Sequence, residues 1–209
     1  MTIVTGYLQA IDNYRRQPQA DDVESFIKNL IQTYAEEHST TDSGYASLIN
    51  ELGSYYRGSR RFDEGAQAFL EAADILEQMG DSMRCEREVT LNNLAELHRM
   101  EGRLDEAQAQ LEASLEVFAD AEDDQLIPYV SALNYLGHIK MDRNDYREAL
   151  ELYERSRDLL EANDGPEPMI ETAYQNLAGA LARLAGKDAE RANGTQPRVN
   201  DTQPRTETK

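Results

Sequence analysis

The sequence of 209 residues has little cysteine and no tryptophan. Its one cysteine, Cys85, excludes an intrachain disulfide and fits a reducing compartment. The sequence also lacks an apolar run of about 18 residues, which a membrane-spanning helix needs. Its first residues have neither the basic start nor the apolar stretch of a signal peptide. These absences predict a cytoplasmic protein without a membrane segment.

Positive charge is in short supply. The chain has 21 Lys and Arg against 40 Asp and Glu, which gives a formal net charge of −19. Nucleic-acid binding requires a basic stripe that replaces counterions on the phosphates, and the sequence contains none. We therefore expect no nucleic-acid partner, while the acidic balance favours a basic partner only weakly.

Motifs for catalysis and metal binding are missing as well. The three histidines, His38, His98 and His138, do not stand four residues apart, and Cys85 is not close to any of them. Such a set does not make a zinc site. The sequence also has no nucleophile elbow, zinc-protease motif or phosphate-binding loop. We expect no enzymatic activity, no cofactor and no metal.

What the sequence does have is an internal repeat. Three segments, 45–80, 87–122 and 129–164, align without gaps. Leu52, Leu94 and Leu136 stand 42 residues apart in this alignment. The same spacing relates four further columns: Gly65, Ala107 and Ala149; Phe69, Leu111 and Tyr153; Ala72, Ser114 and Ser156; Leu76, Phe118 and Leu160. A fixed period of this length is typical of a solenoid built from repeated units.

Each repeat reads as two amphipathic helices, because its apolar residues recur three or four positions apart. The turns between the two helices contain Gly58, Gly102 or Asn144, which permit the left-handed residue that ends a helix. Asp145 stands three residues before Glu148, the spacing of a capping box at the next helix.

The ends of the chain depart from this pattern. A degenerate copy over residues 3–40 precedes the three repeats, with Pro18 and the Asp21-Asp22 pair between its two helices as a predicted stop and cap. A single capping helix over residues 169–185 follows them, so residues 1–185 form one repeat domain of about nine helices. Residues 186–209 have no apolar periodicity and contain Thr-Gln-Pro-Arg twice, which predicts a disordered tail.

These columns resemble the tetratricopeptide repeat family. The Leu52-Gly53 and Leu136-Gly137 pairs, followed by a small residue and an aromatic, match its pattern, and Leu94-Ala95 matches with the small residue changed. The 42-residue period and the run from Leu91 to Leu97 resemble the long repeats of kinesin light chains. The resemblance implies an all-α, right-handed superhelical solenoid that binds a protein or peptide in a concave groove.

In that family the first helix of each hairpin lines the groove, which gives the following candidate peptide-binding residues: Asn50, Asn92, Asn93, Asn134, Tyr135, His138, Gln175, Asn176, Arg57 and Arg99. The amides can pair with the backbone of a bound peptide, or they can bridge neighbouring helices. If their column faces the groove, Asn92 and Asn134 are exposed to solvent. The two arginines can hold a carboxylate or phosphate, or they are solvated charges near a helix C-terminus.

Three functions remain open on this sequence. The first is a non-catalytic protein- or peptide-binding module. The second is a self-assembling scaffold, with the capping helix or the N-terminal pair of helices as the contact of a possible homodimer. The third is a peptide-sensing regulatory module, which resembles quorum-sensing regulators that contain such repeats.

Overall fold

The computed structural model of the chain describes residues 3–17, 22–119 and 126–194. Within these ranges the fold is all-α, as expected. The helices are α1 (Ile3–Arg15), α2 (Val23–Glu37), α3 (Ser43–Gly58), α4 (Phe62–Gln78), α5 (Arg84–Met100), α6 (Leu104–Ala119), α7 (Leu126–Asp142), α8 (Tyr146–Ala162) and α9 (Glu167–Gly194). A single turn of 3₁₀-helix, Asp81–Met83, leads into α5.

The three predicted repeats are the hairpins α3–α4, α5–α6 and α7–α8. Each helix packs against the next one along the chain, so the hairpins stack in sequence order into a solenoid. The first helices also contact one another, as α1 with α3 and α5 with α7. This arrangement places the odd-numbered helices side by side on one face of the stack, and the even-numbered helices form the other face.

The repeated columns are the core of each hairpin. Gly53 and Gly137 on the first helices face Phe69 and Tyr153 on the second helices, and both rings are buried. A Cβ added to Gly53 would lie 2.8 Å from the ring of Phe69. The middle repeat has Ala95 in place of the glycine and the smaller Leu111 in place of the ring, and both are buried.

The turn inside each hairpin has the same backbone conformation. Arg60, Gly102 and Asn144 occupy equivalent positions and have φ angles of 59°, 85° and 63°. The next amide closes each turn: that of Arg103 donates to the carbonyl oxygen of His98 at 2.9 Å. Gly102 and Asn144 confirm the predicted left-handed residues, whereas in the first turn this residue is Arg60 rather than Gly58.

Two predicted caps have different outcomes. Asp22 is the N-cap of α2, and its carboxylate accepts a hydrogen bond from the backbone amide of Ser25 at 2.9 Å. Asp145 precedes α8, but its side chain makes no capping hydrogen bond. The predicted capping box is therefore wrong, and the main-chain bonds of the preceding turn hold this end of α8 instead.

The last helix is longer than predicted. α9 begins at Glu167 and ends at Gly194, nine residues beyond the expected end at Ala185. The added segment contains good helix formers, including Ala189 and Glu190. The ammonium of Lys187 donates to the carbonyl oxygen of Asn144 at 2.7 Å and lies 5.2 Å from the ring centroid of Tyr146, which ties the segment to the hairpin. The rest of the predicted tail, residues 195–209, lies outside the described residues.

Candidate functional site

The predicted amides join neighbouring first helices. The amide nitrogen of Asn93 on α5 donates to the amide oxygen of Asn50 on α3 at 3.1 Å. The guanidinium of Arg57, also on α3, donates to the amide oxygen of Asn93 at 3.3 Å. Asn93 is therefore held from two sides by α3. In the free protein these three side chains make an interhelical bridge, which is the second of the two roles considered for them.

Asn92 is buried. The residue is 2 % exposed, and neither its amide oxygen nor its amide nitrogen has a hydrogen-bond partner among the described residues. The expectation that Asn92 is exposed to solvent is therefore wrong. It lies on α5, the helix in the middle of the stack, whose buried residues also include Glu88 and Glu96. Other helices cover α5 on both sides. A position that would be exposed to solvent on a terminal helix is therefore buried here.

Farther along the same face, Asn134 on α7 and Asn176 on α9 are half-buried. The amide oxygen of Asn134 and the amide nitrogen of Asn176 are enclosed and have no partner among the described residues. Gln175 is exposed, and its nitrogen donates to the carboxylate of Glu171 on its own helix at 3.4 Å. The amides of the predicted column thus range from buried, at Asn92 on α5, to exposed, at Gln175 on α9.

Arg99 belongs to a second polar cluster, which lies between α5 and α7. Its guanidinium donates to both carboxylate oxygens of Glu96, at 2.8 and 2.9 Å, and also bonds the carboxylate of Asp142 on α7. The hydrogen bonds to Glu96 raise the pKa of Arg99 above its ordinary value. The charge of Arg99 is therefore already neutralised within the protein. Its guanidinium is not free to hold a phosphate or a carboxylate of a ligand.

Tyr135 and His138 stand beside this cluster on α7. Their ring centroids are 6.2 Å apart, and Nδ1 of His138 lies 4.0 Å from a carboxylate oxygen of Glu96. Burial lowers the pKa of His138, while the Glu96 carboxylate acts against this shift. At neutral pH the imidazole is therefore uncharged. The ring therefore adds no positive charge to this face.

An open pocket of about 230 Å³ lies near the start of the first helices. Its lining comes mainly from three of these helices, with one residue from α4: Leu8, Ser43, Ser47, Asn50, Glu51, Leu76, Glu86, Val89 and Thr90. Only Asn50 was among the predicted site residues. Ser47 and Val89 are 42 residues apart, five positions before the Leu column, so both occupy the same column of the repeat.

The described residues contain neither a cluster of metal ligands nor a membrane-spanning helix. No three of their His, Cys, Asp or Glu side chains form a group that could hold a metal ion. Within the same ranges, no helix is both long and apolar enough to span a membrane.

Comparison with known families decides what these hairpins are. Residues 86–162, from α5 to the end of α8, match the tetratricopeptide repeat family. This segment consists of tetratricopeptide repeats. The match spans the second and third clear repeats, and the preceding hairpin shares their 42-residue register. No curated protein matches this chain in sequence.

Solved structures with the same fold include long-repeat proteins. BtubC (BKLC) of P. vanneervenii superposes with a TM-score of 0.65 at 17 % identity, covering 99 % of this chain and 89 % of that one. The nearly identical TPR-like repeats of a kinesin light chain-type protein from Podosopora anserina give 0.62 at 16 % identity, covering 92 % and 93 %. The Sgt2 TPR domain of Aspergillus fumigatus gives 0.52 at 20 %, covering 77 % and 90 %. These likenesses confirm the predicted solenoid fold of tetratricopeptide type.

Proposed function

We propose that this protein is a non-catalytic module that binds a peptide or a protein segment along the face formed by its odd-numbered helices. The observation that carries the proposal is the pocket of about 230 Å³ to which α1, α3 and α5 all contribute. Because the first helices of three successive hairpins contribute to this pocket, a bound segment would contact more than one repeat.

The lining of this pocket suits a peptide. Leu8 and Val89 offer apolar surface, while the hydroxyls of Ser43 and Ser47 and the carboxylate of Glu86 offer polar groups. Recognition sites usually combine an apolar surface with a few polar groups that fix orientation. Glu86 is exposed and has no ion-pair partner among the described residues, so it is available to a basic side chain of the ligand.

Farther along the face, Tyr135, His138 and Gln175 extend the proposed binding surface. Tyr135 and His138 present an aromatic and a neutral imidazole edge, and the exposed Gln175 supplies both a donor and an acceptor. We assign Asn50, Asn93 and Arg57 a supporting role, because their mutual hydrogen bonds hold α3 and α5 in place beside the pocket. Arg99 has the same role between α5 and α7, through its hydrogen bonds to Glu96 and Asp142.

Selection from a library of displayed random peptides, using the full chain as bait, tests this proposal. Ser47→Arg places a long side chain in the pocket, and Glu112→Arg makes a matched change on the exposed face of α6. We expect the selected peptides to bind the Ser47→Arg variant at least about tenfold more weakly, equivalent to about 1.4 kcal/mol, and the Glu112→Arg variant normally. Equal binding to both variants, with unchanged melting temperatures, would contradict the proposal.

Self-assembly remains a second candidate because of one feature of α9. Tyr174 and Leu181, seven residues apart on this last helix, are 50 % and 55 % exposed. Two copies could cover these side chains by packing their α9 helices together in a homodimer. Light scattering decides this point: a dimer that Leu181→Glu converts to a monomer would support self-assembly, and a wild-type monomer at all concentrations would exclude it.

A further inference from the structure

The outer face of α4 carries a leucine where the other repeats carry a charge. Leu70 is 50 % exposed, and the positions 42 and 84 residues later are the exposed Glu112 and Glu154. The repeat fold therefore accepts a carboxylate at this position. Since the side chain of Leu70 remains half in water, it contributes little to the core of its own hairpin.

Leu70 lies in a shallow pocket of about 660 Å³ between α4 and the start of α3. It shares no lining residue with the pocket of about 230 Å³ on the odd-numbered helices, which we call the first-helix pocket. Tyr45 and Ile75 add apolar surface to it, and Glu71 and Asp74 are the charged residues of its lining. Neither carboxylate has an ion-pair partner within the described ranges. We call this site the α4 pocket. It combines an exposed apolar surface with two unneutralised negative charges.

The third clear repeat has a cation at the equivalent place on its helices. Tyr129 is the equivalent of Tyr45, and Arg155 is the equivalent of Glu71. The guanidinium carbon of Arg155 lies 5.2 Å from the ring centroid of Tyr129, and the guanidinium donates to the phenol oxygen. In that repeat, one arginine of the protein covers the tyrosine ring through a cation–π contact.

In the α4 pocket the tyrosine is present and the arginine is absent. Glu71 stands in its place, close enough to Tyr45 that its charge adds to the effect of burial and raises the pKa of the phenol. A guanidinium placed over Tyr45, in the way that Arg155 lies over Tyr129, would meet the carboxylates of Glu71 and Asp74. The side chain of the adjacent residue in the ligand would reach Leu70. The pocket thus has the complementary charge and shape for an arginine that this repeat does not supply.

We propose that the α4 pocket binds an arginine from a segment of a partner protein, with an adjacent aliphatic side chain on Leu70. Arginine suits this site better than lysine, because its planar guanidinium stacks on an aromatic ring and bonds two carboxylates at once. The surface is separate from the first-helix pocket, so a partner can use it whether or not a peptide occupies that pocket.

A pair of synthetic peptides tests the chemistry. The probe is acetyl-Ala-Leu-Arg-Ala-Leu-Arg-Ala-amide, and its control has glutamine in place of both arginines. Titration into the ¹⁵N-labelled full chain should produce saturable shifts of the backbone amides of Tyr45, Leu70 and Ile75 with the arginine peptide. We expect the glutamine peptide to bind at least about tenfold more weakly, since it has neither the charge nor the cation–π contact.

Two variants copy residues from the other repeats. Glu71→Arg supplies the residue of the third repeat and should cover Tyr45 from within, and Leu70→Glu supplies the residue found at 112 and 154. Each should reduce binding of the arginine peptide at least about tenfold, while the control variants Glu112→Gln and Ser47→Arg leave it unchanged. The proposal is overturned if the wild type shows no saturable shifts, if both peptides bind equally, or if both variants keep full affinity.

Other occupants of the α4 pocket would give different results. Self-association of the wild type that Leu70→Glu abolishes would assign the surface to a second copy of the chain. Tighter binding of the arginine peptide by a chain ending at residue 194 would assign it to residues 195–209, which contain Arg198 and Arg205. Either result would overturn the proposal that a separate partner protein supplies the arginine. Because Ser47→Arg is the control here, failure of this proposal is distinguishable from failure of the first-helix pocket.

Discussion

Gly137 on α7 lies directly against the ring of Tyr153 on α8: a Cβ added to the glycine would come within 2.4 Å of the Cε1 of the tyrosine. The tyrosine is buried, so the ring cannot move into solvent. The pair sets how closely the two helices of this hairpin approach. In the middle repeat the smaller Leu111 leaves room for Ala95 at the equivalent position.

Gly137→Ala should therefore destabilise the protein by about 1–3 kcal/mol, the usual cost of overpacking a core. Urea unfolding monitored by circular dichroism measures the change. The double variant Gly137→Ala with Tyr153→Leu copies the middle repeat, and we expect it to recover part of this loss. Additive losses in the double variant would show that the two side chains are not in contact.

The turn of the first hairpin stores a strain that the second hairpin avoids. Arg60 has a φ of 59°, a left-handed conformation that disfavours residues with a side chain, and Gly102 occupies the equivalent position. Arg60→Gly should raise the free energy of unfolding by about 0.5–1 kcal/mol. The reciprocal change, Gly102→Arg, should lower it by a similar amount. A decrease on Arg60→Gly would mean that the contact of Arg60 with the ring of Phe62 outweighs the backbone strain.

The buried amide of Asn92 is costly to the fold. Because its oxygen and nitrogen lack partners among the described residues, the polar group has lost water without replacement. Asn92→Leu should give a protein at least as stable as the wild type, and up to about 1 kcal/mol more stable. Asn93→Leu is the matched control, and it should be less stable because it breaks the bond to Asn50. A loss of more than about 2 kcal/mol on Asn92→Leu would indicate that a buried water satisfies the amide.

Glu24 on α2 links the degenerate first pair to the first clear repeat. Its carboxylate accepts hydrogen bonds from Lys28 at 2.7 Å, from the phenol of Tyr56 at 3.0 Å and from Arg61. These donors, with Lys28 first, lower the pKa of Glu24 from 4.5 to about 2. A depressed pKa in the folded state means that the charged carboxylate stabilises the fold above about pH 4.5. This stabilisation is lost as the pH falls towards 2.

Glu24→Gln should therefore destabilise the protein at pH 7, and the difference from wild type should shrink as the pH falls below 4.5. Chemical unfolding of both proteins over this range measures the difference, in which shared effects of acid cancel. Glu116→Gln, an exposed change on α6 without a described ion pair, is the control and should show no such trend. A difference that stays constant with pH would contradict the assignment.

The sequence predicts the fold well because burial repeats every 42 residues. Leu94 and the buried Ala107 and Leu111 follow directly from that spacing. The site is harder to predict, because contacts between repeats do not keep the same register. Asn50 bonds Asn93, 43 residues away, since the neighbouring first helix is shifted relative to the aligned column. A comparison of aligned columns alone cannot show which amide bridges and which is enclosed.

Apolar periodicity could not predict the length of α9 either. Residues 186–194 have no repeating apolar positions, yet they continue the helix, because Ala189 and Glu190 favour it and Lys187 contacts the preceding hairpin. The left-handed Arg60 could not be expected from its residue type, since this conformation is typical of glycine and asparagine. Both features come from local backbone energetics and single contacts rather than from hydrophobic pattern.

The most direct test of the central claim is to map a selected peptide on the ¹⁵N-labelled full chain by chemical-shift changes. Binding along the odd-numbered helices predicts the largest changes at Ser47, Asn50 and Val89, with an extension towards Tyr135 and His138 on α7. The even-numbered helices should change little, apart from any separate effect at the α4 pocket. Shifts confined to the outer faces of α6 and α8, with the first-helix residues unaffected, would contradict the proposed function.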